Sequence, residues 1–197
     1  MDSNKPINKV LVVVGPSGVG KDTVMLKLLE KFPNKFKKGT THTTRTKREG
    51  EKEGVNYYYV SKEEFLKLKD ENKLVENNFY NNNYYGLSKM ELEKASTLDK
   101  IMYVVIDING AYSVHNLKIP AIYVAILPPS NEVLEKRLTG RGTEKPEIIQ
   151  GRLKIANEEL KRINETEFFN FKIVNNDLDK AVDDLLNDLK TVYTQLK

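Results

Sequence analysis

At 197 residues, 39% of them hydrophobic and 30% charged, the chain has material for one substantial core and no need of a second domain; its longest apolar runs fall far short of the ~20 residues that cross a bilayer. The opening stretch MDSNKPINK lacks the apolar segment of a secretory signal, and the absence of cysteine excludes a disulfide framework, a thiolate zinc site and a cysteine nucleophile, so a cytoplasmic protein is expected. The net charge of +4 comes from lysines spread along the chain, which reads as a solvated surface rather than a nucleic-acid or membrane patch.

The run KVLVVV is short, continuous and β-branched and stops at Gly15-Pro16, which predicts a buried strand. A G-x-x-x-x-G-K pattern follows, met by Gly15, Gly20 and Lys21, directly after a strand and directly before a helix, the context a phosphate loop requires. Across Gly15, Ser17, Gly18, Val19 and Gly20 the backbone N–H groups can converge on an anion, the helix N-terminus adds positive potential, and Lys21 reaches the outer phosphates. The motif usually ends in a hydroxyl residue, but here Asp22 stands there and the hydroxyl comes at Thr23. Asp22 either points away from the phosphates, meets a metal through water, or occupies a first helical turn that favours negative charge. Thr23 is the preferred hydroxyl ligand for Mg²⁺. The helix then carries Val24, Leu28 and Phe32 on one face, with Leu29 beside them.

From that helix to Lys100 the texture changes to Thr, Arg, Tyr, Glu and Asn. Strand-like pieces fall around Tyr57 to Val60 and Leu74 to Phe79, and Asn81 to Asn83 suit a hairpin tip. This is read as an inserted subdomain. Within it, TTHTTRTKREGEKEGVNY sets Arg45 and Arg48 three apart, among hydroxyls and ahead of Tyr57 and Tyr58. Two guanidinium forks with nearby O–H donors suit a terminal phosphate monoester; the alternative is an exposed basic loop.

IMYVVID, AIYVAIL and NFKIVN are further strand candidates separated by helical patterns, as in a parallel sheet with both faces covered. Asp107 ends the first of them, suited either to holding Mg²⁺ through water or to capping the next helix. TGRGTEKPE, with little apolar anchorage, interrupts two helices starting near Asn131 and Glu147; a mobile segment is expected there, flanked by Arg137, Arg141 and Arg152. An amphipathic helix from Leu178 to Leu196 closes the pattern. His42 and His115 have no partners suggesting a metal or a triad and read as structural or solvated.

GPSGVGK, TTRTKREGEKEGVNYYYVS, VENNFYNNNYYG, IDING, PPS, RLTGRGT and IVNNDLDKA occur in the order and at about the spacing of one family: the chain resembles guanylate kinases, which transfer phosphate from ATP to GMP, over essentially its whole length. The resemblance implies an α/β fold of P-loop NTPase type, a parallel sheet flanked by helices with an inserted nucleotide-binding subdomain and a mobile lid. The core would span about 1–36, 97–128 and 166–197, the GMP-binding insertion about 37–96, and the lid region about 129–165. By resemblance Thr41, Arg45, Arg48, Tyr57 and Tyr85 hold the GMP phosphate, and Glu76 faces guanine, whose adjacent N1–H and N2–H₂ donors suit a carboxylate. Asn175 lies near adenine, and Arg137, Arg141 and Arg152 close over ATP, where they and Lys21 neutralise charge on the transferring group.

Two positions depart from the family pattern. Leu87 stands where a Ser or Thr donates to guanine O6, with a hydroxyl one place later at Ser88. Asp107-Ile108-Asn109 stands where the family reads Asp-x-Asp. The hypothesis is that Asn109 or Ser88 supplies the missing donor. ATP and GMP or dGMP are the expected partners, with Mg²⁺; a monomer and a dimer are equally open. Rival readings are a guanylate-kinase-like scaffold module that has lost ATP binding and a kinase for another nucleoside monophosphate. RNA binding stands further off.

Overall fold

An uninterrupted apolar strand has to be covered on both faces, and β1 (Val10–Val14) is buried along its whole length. Leu11 and Val13 enter one core cluster while Val10, Val12 and Val14 enter another, as the two-residue period of a strand requires. The computed structural model describes residues 9–80, 82–140 and 146–197. After β1 come α1 (Lys21–Lys31), β2 (Phe36–Lys38), β3 (His42–Thr43), β4 (Tyr58–Tyr59), α2 (Lys62–Asp70), β5 (Leu74–Tyr80), β6 (Asn83–Ser88), α3 (Lys89–Glu93), β7 (Ile101–Val105), α4 (Ile108–Asn116), β8 (Ala121–Leu127), α5 (Asn131–Thr139), α6 (Pro146–Glu165), β9 (Phe171–Val174) and α7 (Leu178–Val192).

The main sheet has five parallel strands in the order β2-β7-β1-β8-β9. Nothing in the sequence marked β2 as a member, because it is three residues long and only Phe36 is buried. α1, α5 and α7 cover one face with Val24, Met25, Leu28, Leu134, Leu138, Leu185 and Leu189, and α4 covers the other with Ala111 and Val114. α6 gives Ala156 to the first cluster and Ile163 to the second, which bridges the two layers.

The second sheet, β4-β3-β6-β5, is built on the antiparallel β5–β6 hairpin, with Asn82 at φ 60° at its tip. Asn accepts that left-handed conformation more readily than most residues. β3 pairs antiparallel with β6 and parallel with β4.

The last helix is shorter than its apolar repeat suggests. α7 stops at Val192, which is 41% exposed, and Tyr193 leaves helical geometry at φ −115°, ψ 97°. Its ring is 3% exposed and its hydroxyl donates to the Val10 carbonyl at 3.3 Å. Docking that ring against β1 ends the helix, and Leu196 is buried from a short 3₁₀ turn instead. Among the described residues no helix is long and apolar enough to cross a membrane.

Candidate functional site

The carboxyl end of β1 runs directly into the glycine loop, at the edge where parallel α/β sheets present ligand sites. Gly20 is the N-cap residue of α1 at φ 95°, with no side-chain cap over the first turn. The leading N–H groups of the helix are therefore turned toward the loop's concavity. A Cβ on Gly20 would stand 2.6 Å from Asn175 Nδ2. Asn175 is 6% exposed and donates to the Val19 carbonyl at 2.8 Å, so it braces the loop from beneath.

Two arginines lean on the same loop. Arg137 Nη1 donates to Val19 O at 3.3 Å, and Arg152 Nη2 donates to Ser17 Oγ at 2.7 Å. Lys21 Nζ folds over the loop onto the carbonyls of Gly15 at 2.6 Å and Pro16 at 3.1 Å. Burial pulls the Lys21 pKa below the ordinary lysine value, opposed first by Glu159 and then by Asp22 and Asp107. Glu159, on the second half of α6, is half-buried, and the same desolvation raises its own pKa. Sequence reasoning missed Glu159, since a Glu among the charged residues of a long helix carries no local signal. Arg141 lies outside the described residues.

On the second sheet Arg45 occupies an aromatic nest. Its guanidinium carbon is 5.4 Å from the Tyr57 ring centroid and 5.9 Å from that of Tyr59, with Tyr85 6.0 Å from Tyr57. Glu51 holds the group in place. It accepts from Arg45 Nη2 at 2.7 Å, Tyr59 Oη at 2.7 Å and the Arg48 backbone at 2.8 Å, and these donors, Arg45 first, hold its carboxyl down to about 2. Glu51 and Tyr59 were not singled out from the sequence, because their role comes from contacts across a turn. The Arg48 side chain is exposed, and Thr41 sits half-buried where β3 begins, its carbonyl accepting from Tyr58 N at 2.9 Å. The structure thus gathers Arg45, Tyr57 and Tyr85 tightly and leaves Arg48 open to solvent.

Glu76, on β5 opposite Leu87, is not a solvated surface residue. Desolvation first, and then the charge of Asp107, push its pKa up to about 7 against a hydrogen bond from the Leu87 backbone. Leu87 is fully buried in the core, and Ser88, 2% exposed, caps α3 by accepting from Glu91 N at 3.3 Å. Asp107 caps α4, Oδ1 accepting from Gly110 N at 2.8 Å, so the capping alternative is realised. Its charge also acts on Lys21, Glu76 and Glu159, and in the turn it caps a Cβ added at Gly110 would stand 3.2 Å from Glu76 Cγ. Asn109, in the first turn of α4, is exposed.

Thr23 and Asp22 are both exposed in the first turn of α1. Among the described residues no group of three or more potential metal ligands occurs. One hydroxyl and one carboxylate suit Mg²⁺, which usually keeps several waters and takes its other ligands from substrate phosphates. Of the two histidines, His42 is buried against Tyr58 at 4.8 Å, and His115 is exposed and stacks on Phe168 at 4.5 Å.

A braced glycine loop thus follows β1 of the main sheet, and an arginine nest lies on the second sheet. The guanylate kinase family model matches residues 7–192. The guanylate kinase of Schizosaccharomyces pombe is 43% identical over 88% of this chain and 86% of its own length, and that of Synechocystis is 39% identical over 92% and 93%. The crystal structure of guanylate kinase from Anaplasma phagocytophilum superposes with a TM-score of 0.65 at 31% identity, covering 95% of this chain and 87% of its own. The chain belongs to the guanylate kinase family.

Proposed function

We propose that the chain transfers the γ-phosphoryl group of ATP to GMP, and to dGMP, with Mg²⁺, giving ADP and GDP or dGDP. An oxygen of the acceptor's phosphate forms the new P–O bond to the γ-phosphorus as the bond to the β-phosphate's bridging oxygen breaks. The observation that carries the reading is the packing of the first turn of α4, capped by Asp107, against Glu76 on the second sheet, with the Asp107 charge acting also on Lys21 of the phosphate loop. In this reading the two anion cradles open onto one cleft.

In this reading the loop from Gly15 to Lys21 holds the ATP phosphates, while Arg137, Arg141 and Arg152 neutralise charge on the group in transit. Arg45, Arg48, Tyr57, Tyr85 and Thr41 take the acceptor phosphate. Glu76 accepts from guanine N1–H and N2–H₂, and Asn109 donates to the 6-oxygen. Asn175 acts through the loop it braces. Thr23 and Asp107 would hold Mg²⁺ through water, and the ion would lend positive charge to the phosphate oxygens. The second sheet forms the acceptor unit and the α5–α6 region the lid, and we assign the activity to the cytoplasm.

The scaffold reading fits poorly with a phosphate loop braced by Asn175, Arg137 and Arg152. A coupled assay for ADP with GMP, dGMP, AMP and UMP as acceptors tests the proposal. ADP is expected with GMP and dGMP. No ADP with any acceptor would support the scaffold instead, and equal use of AMP would remove Glu76 from its part.

A further inference from the structure

We infer that Arg162 is a positioning residue that sets which purines the acceptor pocket takes, by fixing the Asn109 amide with its donor end toward the base; this rests on the GMP-kinase reading above. A pocket that reads guanine needs acceptors for N1–H and N2–H₂ and a donor for the 6-oxygen. Leu87 offers no side-chain donor and is 0% exposed, and Ser88 is turned to the start of α3. Asn109 remains. It sits beside Gly110, where an added Cβ would stand 3.2 Å from Glu76 Cγ, so the first turn of α4 and Glu76 form adjoining walls.

A side-chain amide can present either end. Its NH₂ group suits the 6-oxygen of guanine, whereas its oxygen suits the 6-amino group of adenine, so a freely rotating Asn discriminates poorly between them. Arg162 removes the choice. Its Nη1 donates to Asn109 Oδ1 at 2.8 Å, and because a guanidinium has donors and no acceptor, only the amide oxygen can face it. The NH₂ end is left for the pocket.

Arg162 is itself held in place. Its guanidinium carbon lies 5.4 Å from the Tyr112 ring centroid. Tyr112 Oη and Thr166 Oγ1 share a hydrogen bond of 2.6 Å, and Thr166 Oγ1 in turn donates to the Arg162 carbonyl at 2.7 Å. The end of α6 and the first two turns of α4 are thereby tied at two points. The side chain that orients the amide comes from the helix that also carries Arg152 to Ser17.

The test compares GMP with 2,6-diaminopurine ribonucleoside 5′-monophosphate, which keeps the 2-amino group, carries an amino group in place of the 6-oxygen and lacks the N1–H, a loss that Glu76 meets alike in every variant. Wild type, Arg162→Met, Arg162→Lys, Asn109→Ala and the Asn109→Ala/Arg162→Met double variant are assayed with both. Arg162 is exposed, so the fold does not depend on it, and thermal melts check this. In Arg162→Met, kcat/KM for GMP should fall about five- to tenfold through KM, the loss expected for one hydrogen bond. The KM for ATP should hold, and the preference for GMP over the diaminopurine nucleotide should narrow by about tenfold. Arg162→Lys should retain part of that preference, and the double variant should be no worse than Asn109→Ala alone. A preference unchanged in Arg162→Met, or losses that multiply in the double variant, would overturn the role of Arg162. Failure of wild type to phosphorylate GMP would instead overturn the reading on which it rests.

Discussion

Glu76 has to be a carboxylate to accept two hydrogen bonds from guanine, yet burial and the neighbouring Asp107 raise its pKa to about 7. The ionised fraction then falls from about nine-tenths at about pH 8 to about one-tenth at about pH 6. Apparent affinity scales with the competent fraction, so the KM for GMP should rise about tenfold over that interval. A phosphate monoester titrates near pH ~6 as well. The measurement is therefore KM for GMP against pH in wild type and in Glu76→Gln, whose amide does not titrate but which shares the substrate's own titration. The wild-type profile should carry an additional rise toward acid that the variant lacks, while the KM for ATP behaves alike in both.

The same group makes a signed statement about stability. Its folded pKa lies above the ordinary value of 4.5, so the penalty for ionising it is absent in acid, grows as pH rises past that value, and is complete above about pH 7. Glu76→Gln should melt higher than wild type at about pH 8, by something on the order of 1–3 kcal/mol, and no higher at about pH 4. Parallel KM profiles, or a melting advantage that is largest in acid, would refute the reasoning.

Gly20→Ala places a side chain at φ 95° and directs its Cβ to within 2.6 Å of Asn175 Nδ2; the strain, about 1–3 kcal/mol, should appear as a lowered Tm and at least about a tenfold rise in KM for ATP, with KM for GMP nearly unchanged. Glu51→Gln keeps the shape of the Arg45 anchor and removes its charge. Steady-state kinetics should show a several-fold higher KM for GMP and an unchanged KM for ATP, because charge-assisted hydrogen bonds are the stronger kind.

What could be read from the sequence was whatever depends on neighbours in the chain. β1, β7, β8 and β9 announced themselves as short apolar runs because each is covered on both faces, and the phosphate loop because its glycines and Lys21 lie within seven consecutive residues. β2 was silent for the opposite reason: FKK buries one side chain and owes its strand geometry to pairing with Ile101, Met102 and Tyr103. The apolar repeat of α7 ran on to Leu196, but a tyrosine docking against β1 cut the helix first. In the site, Arg45, Tyr57, Glu76 and Asp107 could be named from spacing and resemblance. Glu51, Glu159 and Arg162 could not, since each acts on a partner brought to it by the fold. Of the two readings of Asp107 the helix cap is the one seen, through a single carboxylate oxygen.

The bond from Asn175 to the Val19 carbonyl spans 156 positions of the chain, and the strand leading into the loop pairs with partners as distant as Met102 and Ala121. During synthesis the nucleotide cradle therefore cannot assemble when its own seven residues leave the ribosome; it waits until nearly the whole polypeptide has emerged. Retention of a nascent chain on immobilised ATP then reports completed folding rather than the mere presence of the motif, and a stalled, truncated chain ending before β9 should pass through the resin.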